Sequence, residues 1–511
     1  MRYVIFSFCI GTVLSCQSQT LSLHHGATRL ESAVRPTAAS GAPFNLSFGS
    51  AEVETFDDLS GMVRVHYTID SSSAHQVPVA DADSSGVPDY VELVGESVAW
   101  AYEEQVNGLG FRAPLSDAGA GDNGGDGRYD VYLLDFGAFN YGSDGMLGTD
   151  ACYEGEGGIH QCITYILIEN DFAEYGYPSI ETAVKILASH EFFHAIQNAY
   201  DENQDETWSE GSAMWAEEEI YPEQTDFEGA TYAYMSKTDR SLDEPLGLSF
   251  SYGTGIWSKF LSEYFESDVI RQIWESCQNG SHGYADPTYL EATDATLMQN
   301  YDSSLTEAFL DFGRWNLFTG SRADSTQSYA QGNHYGAATL HSTALSLPLL
   351  YDSWTQYLST QYLRVNLNGV SSIDVMLQSE HAEKELTIYG AQGDGTLERL
   401  GTLVAQACEQ VSLRLDVSGV YQVYGVLGDG RHAGGVSTTR VWIAPPDSEP
   451  TKPLSAPYTL RSCPDAPADQ ESGEAEGKGS LLGCQGAAGP HLLGLLFFCL
   501  FLRLIHRKRY V

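Results

Sequence analysis

The chain has 511 residues, with 26 Lys and Arg against 69 Asp and Glu, a formal net charge of −43. A field this negative repels phosphate backbones and excludes nucleic acid as a natural partner, while clustered carboxylates attract hard cations such as calcium. An apolar fraction of 42% with 8 Trp, 30 Tyr and 21 Phe excludes wholesale disorder, and nine Cys in so long a chain exclude a disulfide miniprotein.

Residues 1–16 open with one Arg and an apolar run of signal-peptide length, which predicts export and removal of the segment. Val13-Leu14-Ser15-Cys16 resembles a loose lipobox, which implies a lipid on Cys16; ordinary cleavage close by is the other reading. Residues 17–55 are weakly patterned and are assigned as an N-terminal arm or short propeptide. Alternation and β-branching over Val63–Thr68 predict a strand.

Asp81-Ala-Asp83-Ser-Ser85-Gly86-Val87-Pro-Asp89-Tyr-Val-Glu92 matches the twelve-residue calcium loop. Asp81, Asp83, Ser85, the Val87 carbonyl, Asp89 and Glu92 fall at its ligand positions, with Gly86 at the turn. Pro78 disfavours an incoming helix, so the expectation is half an EF-hand; an Asp-rich turn ahead of the next helix is the alternative. Asp122, Asp126 and Asp130 form a weaker second candidate in a Gly-rich stretch.

A helix is expected over Val91–Val106, then strands at Tyr129–Phe136 and Ile163–Ile168. Cys152 and Cys162 flank a Gly-rich loop and are expected to form a disulfide in an oxidising compartment. From Pro178 to about Gly320 the pattern is largely helical, with helices at Ile180–Tyr200, Ser209–Glu219 and Gly255–Phe265. Beyond residue 350, six short runs separated by turn residues predict an antiparallel β-sandwich: 362–367, 373–377, 386–389, 411–417, 421–426 and 440–443.

The first of the helical segments contains His190-Glu191-Phe-Phe-His194. Residues i and i+4 share one helix face, so both imidazoles reach one ion, and Glu191 can act as general base. With 14 His in 511 residues the motif arises by accident in roughly two or three chains per hundred, so it needs a third ligand to carry weight. Gln197 and Tyr200 stand where the metzincin pattern needs Gly and His, which rules that subclass out. Trp208-Ser-Glu210-Gly211-Ser-Ala213, whose Glu lies 16 residues beyond His194, resembles the segment that delivers the Glu ligand in gluzincin metallopeptidases. Through HEFFHAIQ and ETWSEGSAMWAEEE, the chain resembles secreted myxobacterial metalloproteases of that branch over about residues 60–320. The resemblance implies zinc held by His190, His194 and Glu210, with Glu191 as base. It also offers Tyr252, in Ser-Tyr252-Gly-Thr-Gly before a helix, as the donor to a developing oxyanion, against the plainer reading of a loop tyrosine. Glu217, two helical turns beyond Glu210, is either a partner of a ligand His or a solvated residue.

Residues 445–483, rich in Pro, Ser, Glu and Gly, predict a flexible stalk. The tail 484–511 begins at Cys484, preceded by Gly483, and continues with Leu492–Leu502 and Arg507-Lys508-Arg509. The 11-residue apolar run spans only ~16 Å as helix against a ~30 Å hydrocarbon core. The segment resembles the C-terminal sorting tails of myxobacterial surface proteins, which implies temporary membrane contact and cleavage; a plain membrane anchor is the alternative.

The expected organisation is therefore a signal peptide (1–16), an arm (17–55), an α+β zincin-like catalytic domain (56–349), an antiparallel β-sandwich (350–444), a stalk (445–483) and a tail (484–511). The expected function is that of an exported, monomeric zinc endopeptidase with a second site for calcium, acting on protein or peptide. A catalytically silent surface adhesion protein that works through its sandwich is the rival.

Overall fold

The computed structural model of the protein describes residues 35–36, 47–120, 123–137, 143–154, 160–173, 175–448 and 463. The signal peptide with Cys16, most of the arm 17–55, Asp122, most of the stalk 445–483 and the tail 484–511 lie outside the described residues. Among the described residues no helix is long and apolar enough to cross a membrane.

The first half is built on one mixed sheet. Its strands are β1 (Glu54–Asp57), β2 (Val63–Tyr67), β3 (Tyr129–Leu134), β4 (Gly145–Glu154) and β5 (His160–Glu169), in the order β1-β2-β3-β5-β4. β2, β3 and β5 run parallel, while β1 and β4 pair antiparallel at the two edges. Period-two alternation sorts the side chains of the central strands. Val131, Leu133, Ile166 and Ile168 enter the main core, whereas Tyr132, Leu134, Tyr165 and Leu167 form a smaller cluster on the other face with Phe48 and Met146. The expected disulfide between Cys152 and Cys162 is present and joins directly opposed residues of β4 and β5.

Two helices cover the main-core face: α1 (Asp89–Tyr102) and α2 (Ile180–Gln197). Ser179 caps α2 by accepting from Thr182 N at 3.0 Å. Every residue from Ile186 to Gln197 is buried, which is why this helix lacks a polar stripe. Helices α3 (Glu206–Ile220), α4 (Asp226–Met235), α5 (Leu248–Gly253), α6 (Gly255–Tyr264), α7 (Val269–Ser276), α8 (Tyr289–Asn300) and α9 (Leu305–Leu317) follow.

The second half is sandwich-like. One sheet has the order β11-β10-β13-β8-β6 and the other β12-β9-β14-β7. The strands are β6 (Leu340–Ala344), β7 (Leu349–Thr355), β8 (Ser359–Asn366), β9 (Ser372–Ser379), β10 (Lys384–Ala391), β11 (Leu397–Val404), β12 (Gln410–Asp416), β13 (Gln422–Asp429) and β14 (Ser437–Ala444). Two expectations are corrected. The sheets begin at Leu340 rather than 350, and β6 pairs with β8 in parallel, so the sandwich is not wholly antiparallel. Cys463, inside the expected stalk, is tied back by a disulfide to Cys408. The sandwich has its own core around Leu363, Val375, Ile388 and Val423, while Tyr362, Tyr389 and Tyr424 join the main cluster of the first half. Tyr362 donates to the Gly313 carbonyl of α9 at 2.9 Å, and Phe318 meets Tyr389 edge to face.

Candidate metal centre

Two buried helices bring the motif residues together. α2 presents His190 and His194 one turn apart, with ring centroids 4.7 Å from each other. α3 crosses this face and directs Glu210 between them. Its Oε2 lies 3.2 Å from His190 Nε2 and 3.4 Å from His194 Nε2. Ligand atoms of the three side chains all lie within 4.8 Å of one another.

The far nitrogens of both rings are also held. His190 Nδ1 donates to Glu217, and His194 Nδ1 donates to Gln197 Oε1 at 2.8 Å. The Gln197 amide orientation is set independently, because its Nε2 donates to the Ser209 carbonyl at 2.8 Å. With each Nδ1 engaged outward, the Nε2 atoms of both rings face Glu210 and are the ones placed to meet an ion. His194 Nε2 is buried, with the Glu210 carboxylate beside it. Two inward nitrogens and one carboxylate form a donor set that fits a zinc ion with a fourth position open. Burial disfavours the charged His190 imidazole, yet its contacts with Glu210 and Glu217 outweigh that and raise its pKa well above the ordinary value. Burial likewise opposes the charge of Glu210, but His194 and His190 hold its carboxyl far below the usual range. The pocket is thus built for positive charge at its centre.

Glu191 is fully buried. The edge strand β4 passes directly over it: a β carbon on Gly145 would lie 3.1 Å from Glu191 Oε1 and 2.5 Å from Leu187 Cδ1. Just before Gly145, Asp144 accepts from the Tyr177 hydroxyl at 2.5 Å. Tyr252 lies on α5 with its ring centroid 5.9 Å from that of His190, so it belongs to the site rather than to a remote loop. Burial, and then the carboxylates Glu210 and Glu191, push its phenol pKa well above the ordinary value, so it stays a donor. Gly211 makes this approach possible. A β carbon there would come 2.6 Å from Thr254 Oγ1, which donates to the Thr207 carbonyl at 2.7 Å. The Gly of the W-S-E-G segment thus lets the α5–α6 junction pack on α3.

His190, His194 and Glu210 converge, the Tyr252 ring lies beside His190, and Glu217 is a partner of His190 rather than a solvated residue. Sequence reasoning missed Gln197 as a partner of His194, although its position three residues along the same helix face was a usable signal. It also missed Gly145 and Asp144, which carry no motif.

The acidic loop is partly assembled. Carboxylate oxygens of Asp81, Asp83 and Asp89 lie within 4.8 Å of one another, a group that does not include Glu92. Asp81 accepts from Ser85 N and Gly86 N, both at 3.0 Å, and Gly86 supplies the positive φ of 91° that the turn requires. Ser85 Oγ donates to the Val87 carbonyl at 3.3 Å. The weaker second candidate is overturned. Asp126 pairs with Arg64 and Arg128, and buried Asp130 pairs with Arg35 and His66, so arginines occupy the carboxylates.

No protein-family model matches this chain, and no curated protein matches it. Three solved structures each overlap about a fifth of it. The pre-peptidase C-terminal domain of collagenase from Bacillus anthracis is 9% identical, with a TM-score of 0.17, covering 20% of this chain and 96% of that one. The Yersinia pseudotuberculosis-derived mitogen is 11% identical, with a TM-score of 0.16, covering 20% of this chain and 91% of that one. CorA, a surface-associated copper-binding protein of Methylomicrobium album BG8, is 9% identical, with a TM-score of 0.17, covering 21% and 98%.

Proposed function

We propose that the protein is an exported, zinc-dependent endopeptidase of the gluzincin type, with a zincin-like catalytic half and a sandwich behind it. The observation that carries this reading is the buried His190–His194–Glu210 cluster with both imidazoles fixed from behind by Glu217 and Gln197. His190, His194 and Glu210 would hold the metal. When bound, zinc supplies Lewis acidity toward the scissile carbonyl and its water.

The remaining chemistry belongs to the chain. Glu191 takes the proton of the attacking water and returns it to the leaving amine. Tyr252 donates to the oxygen on which negative charge develops. Strand β4, at the sheet edge over Glu191, pairs with an extended peptide through its backbone. Asp81, Asp83 and Asp89, with the Ser85 and Val87 oxygens and Glu92, would hold a calcium ion at the 81–92 loop, and a bound ion would steady the start of α1. The chain acts as a monomer on protein or peptide. It is held at or released from the cell surface through its C-terminal tail or a lipid on Cys16.

Comparison of wild type with Glu191→Gln tests the reading. Purified exported protein should contain about one zinc per chain and cleave unfolded protein in a chelator-sensitive way. The variant should keep the metal and lose turnover. Equal turnover in the two would remove Glu191 as base, and a zinc-loaded but inactive wild type would favour the rival adhesion protein.

A further inference from the structure

Arg35 belongs to the segment read from sequence as an arm or short propeptide, yet it is only 1% exposed. It lies on the sheet face turned away from α1 and α2. Nε donates to Asp150 at 3.0 Å, Nη2 to Asp117 at 2.6 Å, and Nη1 to Asp130 and to the Tyr132 hydroxyl at 3.2 Å. The guanidinium carbon sits 5.2 Å from the centre of the Tyr165 ring. Asp130 also takes a 2.7 Å contact from His66, whose ring stacks on Tyr132. Three carboxylates and an aromatic face thus form a complete guanidinium receptor, and its ligand is the chain's own Arg35.

The receptor bears on the site through one strand. Asp150 sits at the bulge of β4, where the register with β5 shifts between Thr149 and Ala151. Five residues earlier on the same strand, Gly145 rests against Glu191 and Leu187. β4 is therefore clamped on the outer face by Arg35 and seated on the inner face over the general base. Withdrawing the guanidinium would remove the cation shared by Asp117, Asp130 and Asp150, the costly way to break a buried ion cluster.

We propose that Arg35 is a positioning residue of the mature protein: the arm around it is retained after export, and its guanidinium holds β4 in place over Glu191. The inference rests on the reading of β4 as the substrate-binding edge, but its first test does not. Mass spectrometry of the exported chain should find an N-terminus upstream of Arg35. A mature chain that begins beyond it overturns the proposal.

The second test uses the full chain with Arg35→Ala and Arg35→Lys. The Ala variant should melt about 5 °C lower, with zinc content unchanged. Low-millimolar guanidinium chloride should restore its melting temperature while leaving wild type unmoved, and Lys should rescue only in part because it lacks the planar fork. KM for a peptide should rise more than kcat falls. Failure of guanidinium to restore the Ala variant, or an unchanged KM, overturns the positioning role. If wild type itself has no turnover, the endopeptidase reading fails, while the N-terminus and the rescue still decide this one.

Discussion

Glu217 accepts a hydrogen bond from His190 Nδ1 although it lies seven residues beyond Glu210 on the same helix, so one face of α3 supplies both the carboxylate inside the centre and the one behind it. Such a partner fixes ring orientation and raises ligand basicity, and its loss typically lowers metal affinity 10–100-fold. Glu217→Gln keeps an acceptor but removes the charge. Zinc affinity should fall by about tenfold or more in chelator competition, with folding intact by circular dichroism. An unchanged affinity would reduce Glu217 to a packing role.

Gly145 leads to a second test. Its missing side chain is what lets β4 lie on Leu187 and Glu191, so Gly145→Ala forces an added methyl into a filled space. Overpacking of this kind costs about 1–3 kcal/mol, part of it as displacement of the strand or of the Glu191 carboxylate. Turnover should drop by roughly tenfold or more while zinc content stays at the wild-type level. A variant with full activity would show that β4 can move without consequence for the base.

What was legible in the sequence follows strand position. The interior strands β2, β3, β5, β8, β9, β10, β13 and β14 each contain or overlap an expected run, because both flanks and at least one face are covered and the residues must be apolar or β-branched. The strands that escaped notice, β1, β4, β6, β7 and β11, all lie at sheet edges. Leu397–Val404 shows why, since its burial runs from buried through exposed and half-buried without alternation. Edge strand β12 is the exception, and Val411, Leu413 and Leu415 give it a clean period of two. The same limit hid part of the site. The helical ligands announced themselves by spacing, whereas β4 over the base and Arg35 behind it depend on contacts 46 and 115 residues apart in the chain. Cys408 and Cys463 were likewise unreadable as a pair, because spacing alone does not fix connectivity.

The acidic loop should respond to calcium. Asp81, Asp83 and Asp89 converge, and Glu92 lies three residues beyond Asp89 in the first turn of α1. A ligand that binds only the folded state adds ~2.7 kcal/mol at a hundredfold excess over its dissociation constant, so calcium should raise the melting temperature. Asp81→Ala combined with Glu92→Gln should abolish that gain without affecting zinc content. A calcium response that survives in the double variant would refute this site.

Acidity should stabilise the protein over a defined window. Burial raises the Glu169 carboxyl to about 7 despite hydrogen bonds from Phe136 N and Asn170 N, and burial also raises Glu218 to about 7 despite Lys259. In the unfolded chain both titrate near the ordinary Glu value, so between about 4.5 and 7 the folded state binds more protons than the unfolded state. Stability therefore falls as pH rises through this window. The contribution is complete below the unfolded pKa and lost above about 7, roughly 3 kcal/mol for Glu169 between the two limits. Below about pH 4 the opposite group takes over, because carboxyls held low by partners, such as Asp57 beside Arg64, must be protonated. The melting temperature should peak near pH 5 and decline toward pH 8. Glu169→Gln carries no titrating proton at that position and should flatten the decline. A variant with the wild-type slope from pH 5 to 8 would show that Glu169 does not titrate there.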